Sequence, residues 1–128
     1  MTVTPHNSDG VYPPYTNYSH SVEVRGDSRL LFVSGLNGYR SDGVTVPESF
    51  EEQADQIWRH LGTILTSVDL TYTDLVSVRT FLAEPEYRQA NARVRARYLG
   101  EHRPSLTAVC CRLLDPAWKL EIEAIAAT

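Results

Sequence analysis

Ser105-Leu106-Thr107-Ala108-Val109-Cys110-Cys111 and, after Leu114-Asp115-Pro116, Lys119-Leu120-Glu121-Ile122-Glu123-Ala124-Ile125-Ala126 decide the fold of this chain. The second segment alternates apolar and polar residues, the period of a strand with one face against a core. The first is short, of strand length, and is bounded upstream by Pro104. Both read as strands that pair with each other through the Leu114-Asp115-Pro116 connection.

Upstream the period changes. Pro85 suits the first turn of a helix, with Tyr87, Ala90, Val94 and Tyr98 on its inward face and Gly100 at its end. Leu75-Val76-Ser77-Val78-Arg79-Thr80-Phe81-Leu82 reads as a strand. From Glu48, the residues Ala54, Ile57, Leu61, Ile64, Leu65 and Val68 fall three or four apart, an apolar stripe over about five helical turns. Glu51, Glu52 and Asp55 near its start complement the helix dipole. Leu36 to Pro47 reads as a loop. Arg29 to Gly35 is a buried strand, predicted to form a hairpin with Ser21-Val22-Glu23-Val24-Arg25 across a Gly26-Asp27 turn. Residues 1–17 carry Pro5, Asn7, Ser8, Asp9, Gly10, Pro13 and Pro14, so an irregular N-terminal arm is expected there, followed by a single domain over 18–128. The order β-β-α-β-α-β-β predicts an α+β fold with both helices on one face of a sheet. The other face then needs cover, and a second copy of the chain in a symmetric oligomer would supply it.

With 128 residues, 42% of them hydrophobic, the chain can bury one core. No apolar run approaches the ~20 residues of a membrane span, and no basic-then-apolar leader is read at the N-terminus, so the expected compartment is cytoplasmic. A net charge of −4 argues against nucleic acid or an anionic membrane as the partner. The basic residues Arg88, Arg93, Arg95 and Arg97 are read mostly as the solvated face of the second helix. Cys110 and Cys111 are adjacent, which disfavours a disulfide between them, and Cys110 is read as a buried small residue. His6, His20, His60 and His102 lack metal-ligand spacing, so no zinc site is predicted. Trp58 and Trp118 are read as core or contact aromatics, and Tyr39 and Tyr72 as residues of a cleft mouth.

Tyr18-Ser19-His20-Ser21-Val22, Leu31-Phe32-Val33-Ser34-Gly35, Asp74-Leu75-Val76, Asn91, Gly100-Glu101-His102 and Glu121-Ile122-Glu123-Ala124-Ile125-Ala126, in this order, resemble the reactive intermediate deaminase (Rid, or YjgF-like) family from about Tyr18 onward. The resemblance implies a chorismate-mutase-like fold assembled as a homotrimeric barrel, with small-molecule clefts between subunits. It implies hydrolysis of enamine or imine intermediates to a keto acid and ammonia, without metal or bound cofactor. By the same resemblance Glu121 positions the attacking water, Tyr18 is the site tyrosine, Ser34 and Gly35 end a site strand, and Asn91 is the site residue of the helix. The family's substrate-carboxylate arginine falls at Leu106, its nearby cysteine at Ala108, and the glutamine after Tyr-Ser at His20.

These departures redirect the functional reading. A leucine cannot form the paired hydrogen bonds that a guanidinium offers a carboxylate. Removing one partner of such a buried pair typically costs ~2–5 kcal/mol, so ordinary 2-imino acids are expected to be handled at least ~30-fold worse. The Ala108 backbone N–H would survive as part of an anion site. His20 is a candidate proton carrier, weighed against the favoured reading of a hydrogen-bonded structural histidine, and Arg103 a candidate replacement cation, weighed against the favoured reading of a solvent-exposed loop arginine. A Leu106 packed beside Glu121 would suit that carboxyl group to proton donation. The leading reading is a Rid-like hydrolase for an intermediate that the usual arginine does not anchor. The other is a non-catalytic small-molecule-binding or regulatory trimer, and a ribonuclease role is disfavoured by the acidic balance.

Overall fold

A computed structural model describes residues 2–7, 9–10, 13–14 and 18–128. The strands are β1 (Thr2–His6), β2 (Ser21–Arg25), β3 (Leu30–Leu36), β4 (Leu75–Leu82), β5 (Ser105–Cys110) and β6 (Leu120–Ala127), and the helices are α1 (Phe50–Thr66) and α2 (Arg88–Leu99). Short 3₁₀ turns at Tyr72–Asp74 and Pro85–Tyr87 lead into β4 and α2. The main sheet runs β3-β6-β4-β5, and β1 and β2 form a separate two-stranded ribbon. The α+β class is therefore as expected, with several corrections to the layout.

The expected hairpin of β2 with β3 is replaced. β2 pairs antiparallel with β1, from Thr2 opposite Arg25 to His6 opposite Ser21, and β3 pairs with β6. The arm expected to be irregular thus contains a strand. Pro5 is tolerated because in a two-stranded ribbon each strand has an open edge where a missing N–H costs no ladder bond. Other positions of that arm lie outside the described residues. The two final strands do not pair either: β4 lies between them, parallel to β5 and antiparallel to β6.

α1 starts where Ser49 Oγ accepts the Glu52 N–H at 3.1 Å, with Glu51 and Glu52 in the first turn. Its stripe of Ala54, Ile57, Leu61 and Leu65 is buried, joined by Phe50 and Trp58. α2 is stopped at Gly100, whose φ of +56° favours glycine and whose N–H donates to Ala96 O at 3.0 Å. Val94 and Leu99 of α2 meet the α1 stripe and the inward residues Val33, Val78, Leu82, Leu120, Ile122 and Ala124 in one core. Both helices therefore cover the same sheet face. The opposite face keeps Leu30 and Phe32 exposed, at 54% and 70%.

Buried Gln53 ties the approach to this sheet together. Its Nε2 donates to Pro47 O at 2.8 Å and Ala117 O at 3.1 Å, and its Oε1 accepts the Lys119 N–H at 2.9 Å. The loops entering α1 and β6 are thereby clamped to one amide. Gly38 packs on the same residue so closely that an added Cβ would lie 2.7 Å from Gln53 Cα. No helix among the described residues is long and apolar enough to cross a membrane.

Candidate functional site

The alternation of β6 divides its side chains. Leu120, Ile122, Ala124 and Ala126 are buried under the helices, so Glu121 and Glu123 emerge on the other face. There Glu121 stands opposite Phe81 of β4 and beside the point where the β3–β6 register shifts, between Val33 and Leu36. Such irregularities re-aim side chains and are frequent beside functional sites. Gly35 occupies this break, and a Cβ there would collide with the Glu121 carboxyl group. Asn37 Nδ2 donates to Glu121 Oε1 at 3.2 Å and to Leu120 O at 3.4 Å. The carboxylate is thus half-buried, held by an amide and laid over a residue without a side chain. Glu123, by contrast, pairs with Arg79.

The second group of residues lies on the helix side, at the β5 edge. The α2 residues Arg88, Asn91, Ala92 and Arg95, spaced i, i+3, i+4 and i+7, share one helical face. Together with Tyr18 and with Leu106, Ala108 and Cys110, which alternate along β5, they line a cleft of about 460 Å³. That volume suits a small molecule. Tyr18 is held there by the next residue: Ser19 bridges to Ser105, its N–H donates to Pro104 O at 3.0 Å, and its Oγ donates to Arg103 O at 2.6 Å. Asn91 and Arg95 are buried, at 3% and 7% exposure. Burial draws the Arg95 pKa down from its ordinary value.

Of the residues singled out from sequence, Tyr18, Asn91, Leu106 and Ala108 come together in the cleft, and Gly35 joins Glu121 on the other side of the sheet. Ser34 faces a shallow groove with Phe32, Arg79 and Glu123. Leu106 and Glu121 are not neighbours within the chain, because Leu106 packs onto the core beneath the helices. Arg103 does not supply the cleft with a cation: its Nη1 donates to Gly100 O at 2.8 Å and His102 O at 3.2 Å. His20 is half-buried outside the cleft lining, its N–H donating to Asn7 Oδ1 at 2.9 Å. Cys110, expected buried, is exposed because β5 is an edge strand.

Neither loop tyrosine lines this cleft. Tyr39 accepts from Trp118 Nε1 at 3.1 Å, and Tyr72 donates to Trp58 O at 2.6 Å within an aromatic cluster. Sequence reading missed three residues. Asn37 stands two positions beyond Gly35, and Arg88 and Arg95 flank Asn91 at helical spacing. Arg88, Arg93 and Arg97 are exposed as expected, and Arg95 is the exception.

A family model described as Endoribonuclease L-PSP matches residues 11–128. The fold is similar to that of a crystallised protein of the conserved Rid family from Yersinia pestis, with a TM-score of 0.88, 26% identity and all of both chains covered. Protein HMF1 of Saccharomyces cerevisiae is 28% identical over 98% of this chain and 95% of its own length. The 2-iminobutanoate/2-iminopropanoate deaminase of Rattus norvegicus is 31% identical over 85% of this chain and 78% of its own.

Proposed function

The chain belongs to the Rid (YjgF-like) family, and from that premise we propose that it hydrolyses an enamine, imine or related reactive intermediate in clefts shared between the subunits of a homotrimer. The observation that carries this reading is Glu121, a carboxylate fixed by Asn37 and given room by Gly35. Glu121 would take a proton from water as its oxygen adds to the imine carbon, while the imine nitrogen is protonated. Collapse of the resulting carbinolamine breaks the C–N bond and releases a carbonyl compound and ammonia. A positioned acid or base of this kind typically contributes about 10²–10⁴-fold.

Trimer formation answers the separation of the two groups. One protomer offers Tyr18, Asn91, Leu106 and Ala108 at a sheet edge, and another offers Glu121 from its uncovered sheet face. The edge of β5, bordered by β4 and by the single Ser19 bridge among the described residues, is open to such an approach. With Leu106 in place of an arginine, 2-iminobutanoate is a poor substrate in this reading.

The test follows semicarbazone trapping of freshly generated imines by the purified protein. Accelerated loss of at least one imine, reduced about 100-fold or more by Glu121→Gln, is the expected result. No acceleration for any imine would leave the non-catalytic binding trimer as the better account. Rapid breakdown of 2-iminobutanoate would show that Leu106 has no bearing on substrate choice.

A further inference from the structure

Leu106 leaves the cleft without a cation from β5, and two nearby arginines are taken: Arg103 donates to the carbonyls that follow α2, and buried Arg95 is already engaged. Arg88 is different. It lines the cleft, is exposed, and forms no ion pair among the described residues, although Glu84 and Glu86 precede it closely in the chain. Nor does it serve the helix: as the first residue of α2 it brings positive charge to the positive end of the dipole, where a cation is disfavoured. One turn along the same face, Asn91 is only 3% exposed, and its amide has no hydrogen-bond partner among the described residues. The sealed polar atom without a partner among them is Trp58 Nε1, so the Asn91 amide stays open to the cleft it lines. A buried amide left unpaired is costly unless something in the cleft satisfies it. No carboxylate is among the described lining residues, and Leu106 and Ala108 supply apolar surface from β5.

Deepening the assignment of this cleft as the substrate site, we infer that Arg88 is a specificity-determining residue that makes the cleft prefer monoanionic acids with an apolar body, whose carbonyl-derived group meets Asn91. A guanidinium on a long side chain presents paired N–H donors to a carboxylate. An amide offers both a donor and an acceptor, which suits a C=O, an imine C=N–H or an enamine N–H. Arg88 differs from a cation on β5 in strength. An exposed ion pair is worth up to about fivefold in affinity, whereas a buried, hydrogen-bonded one is worth about 30-fold or more. The helix cation therefore restores only part of what an arginine at position 106 would give. Small 2-imino acids remain poor substrates, while acids still rank above their neutral analogues. Arg88 acts on binding, and Glu121 keeps the chemistry.

Calorimetric titration of the intact protein at low salt with 4-methyl-2-oxopentanoate and its neutral amide tests the inference apart from turnover. The acid is expected to bind about three- to fivefold more tightly than the amide, a preference that shrinks as salt screens the charges. Arg88→Gln should bring the two ligands to within about 1.5-fold of each other. Asn91→Ala should weaken acid and amide alike and leave the preference intact. Should Asn91→Ala fail to fold, Arg88→Gln decides alone, since the exposed Arg88 side chain lies outside the core. Equal affinity for acid and amide, no binding of the acid, an unchanged preference in Arg88→Gln, or a folded Asn91→Ala protein that binds both as before would overturn the inference. Selective binding without imine hydrolysis would defeat only the hydrolase reading, and hydrolysis without charge selectivity only this one.

Discussion

Asp42 shows how much local geometry a single side chain can organise in the loop between β3 and α1. Its Oδ1 accepts the Val44 and Thr45 N–H groups at 2.8 and 2.9 Å, and its Oδ2 accepts the Thr45 hydroxyl at 2.7 Å. These bonds, the Val44 N–H foremost, favour the charged form and hold the Asp42 pKa at about 2 against an ordinary 3.8. A depressed folded-state pKa means that the turn's contribution is complete above the unfolded value and fades as pH falls through about 2. Carboxyl-carbon NMR should give an Asp42 midpoint near 2, and a midpoint at the ordinary value would show that the turn is not held in solution. Glu121 is likewise held by a hydrogen bond, but its partner Asn37 comes from a separate strand end. Family resemblance singled out Glu121 in the sequence, whereas the hydrogen bond from Asn37 required the β3 register shift to be known.

At the scale of elements, α1 was the most legible part of the chain, because its stripe and its start signal agree. Replacing Ser49 with Ala should lower stability by about 1 kcal/mol in urea unfolding, and Ser49→Gly by only a few tenths. Equal losses for the two variants would mean that the hydroxyl does not cap the helix. Strand pairing was much less legible. Gly26-Asp27 is a sound local turn signal, yet β2 pairs with residues from the start of the chain, a long-range choice that no local pattern encodes. The crossover that inserts β4 between β5 and β6 is likewise invisible in the Leu114-Asp115-Pro116 connection. α2 illustrates the same limit. The spacing of Arg88, Asn91 and Arg95 is plain in the sequence, but whether that stripe meets solvent or a cleft depends on where the sheet ends.

For the whole molecule, the two sheet faces have opposite fates. The helix-covered face holds the core, while the other leaves Leu30, Phe32 and Val109 at 54%, 70% and 44% exposure, with Phe81 and Ile125 half-buried among them. Exposed aromatic and aliphatic side chains grouped on one sheet face mark an interaction surface, and closed symmetric assemblies are the usual way to cover one. Because Glu121 emerges on this face and Tyr18 and Asn91 do not, assembly and site formation are coupled in the proposed trimer. Phe32 lies on β3, away from the α2–β5 cleft, so charging it tests assembly without altering the cleft lining. Sedimentation should give a trimer for the unaltered protein and smaller species for Phe32→Asp, with the helical circular dichroism retained. Hydrolysis should fall with the trimer, while a Phe32→Leu control should keep both. A Phe32→Asp protein that remained trimeric, or that hydrolysed imines as a monomer, would show that Glu121 and the cleft do not need a neighbouring subunit to meet.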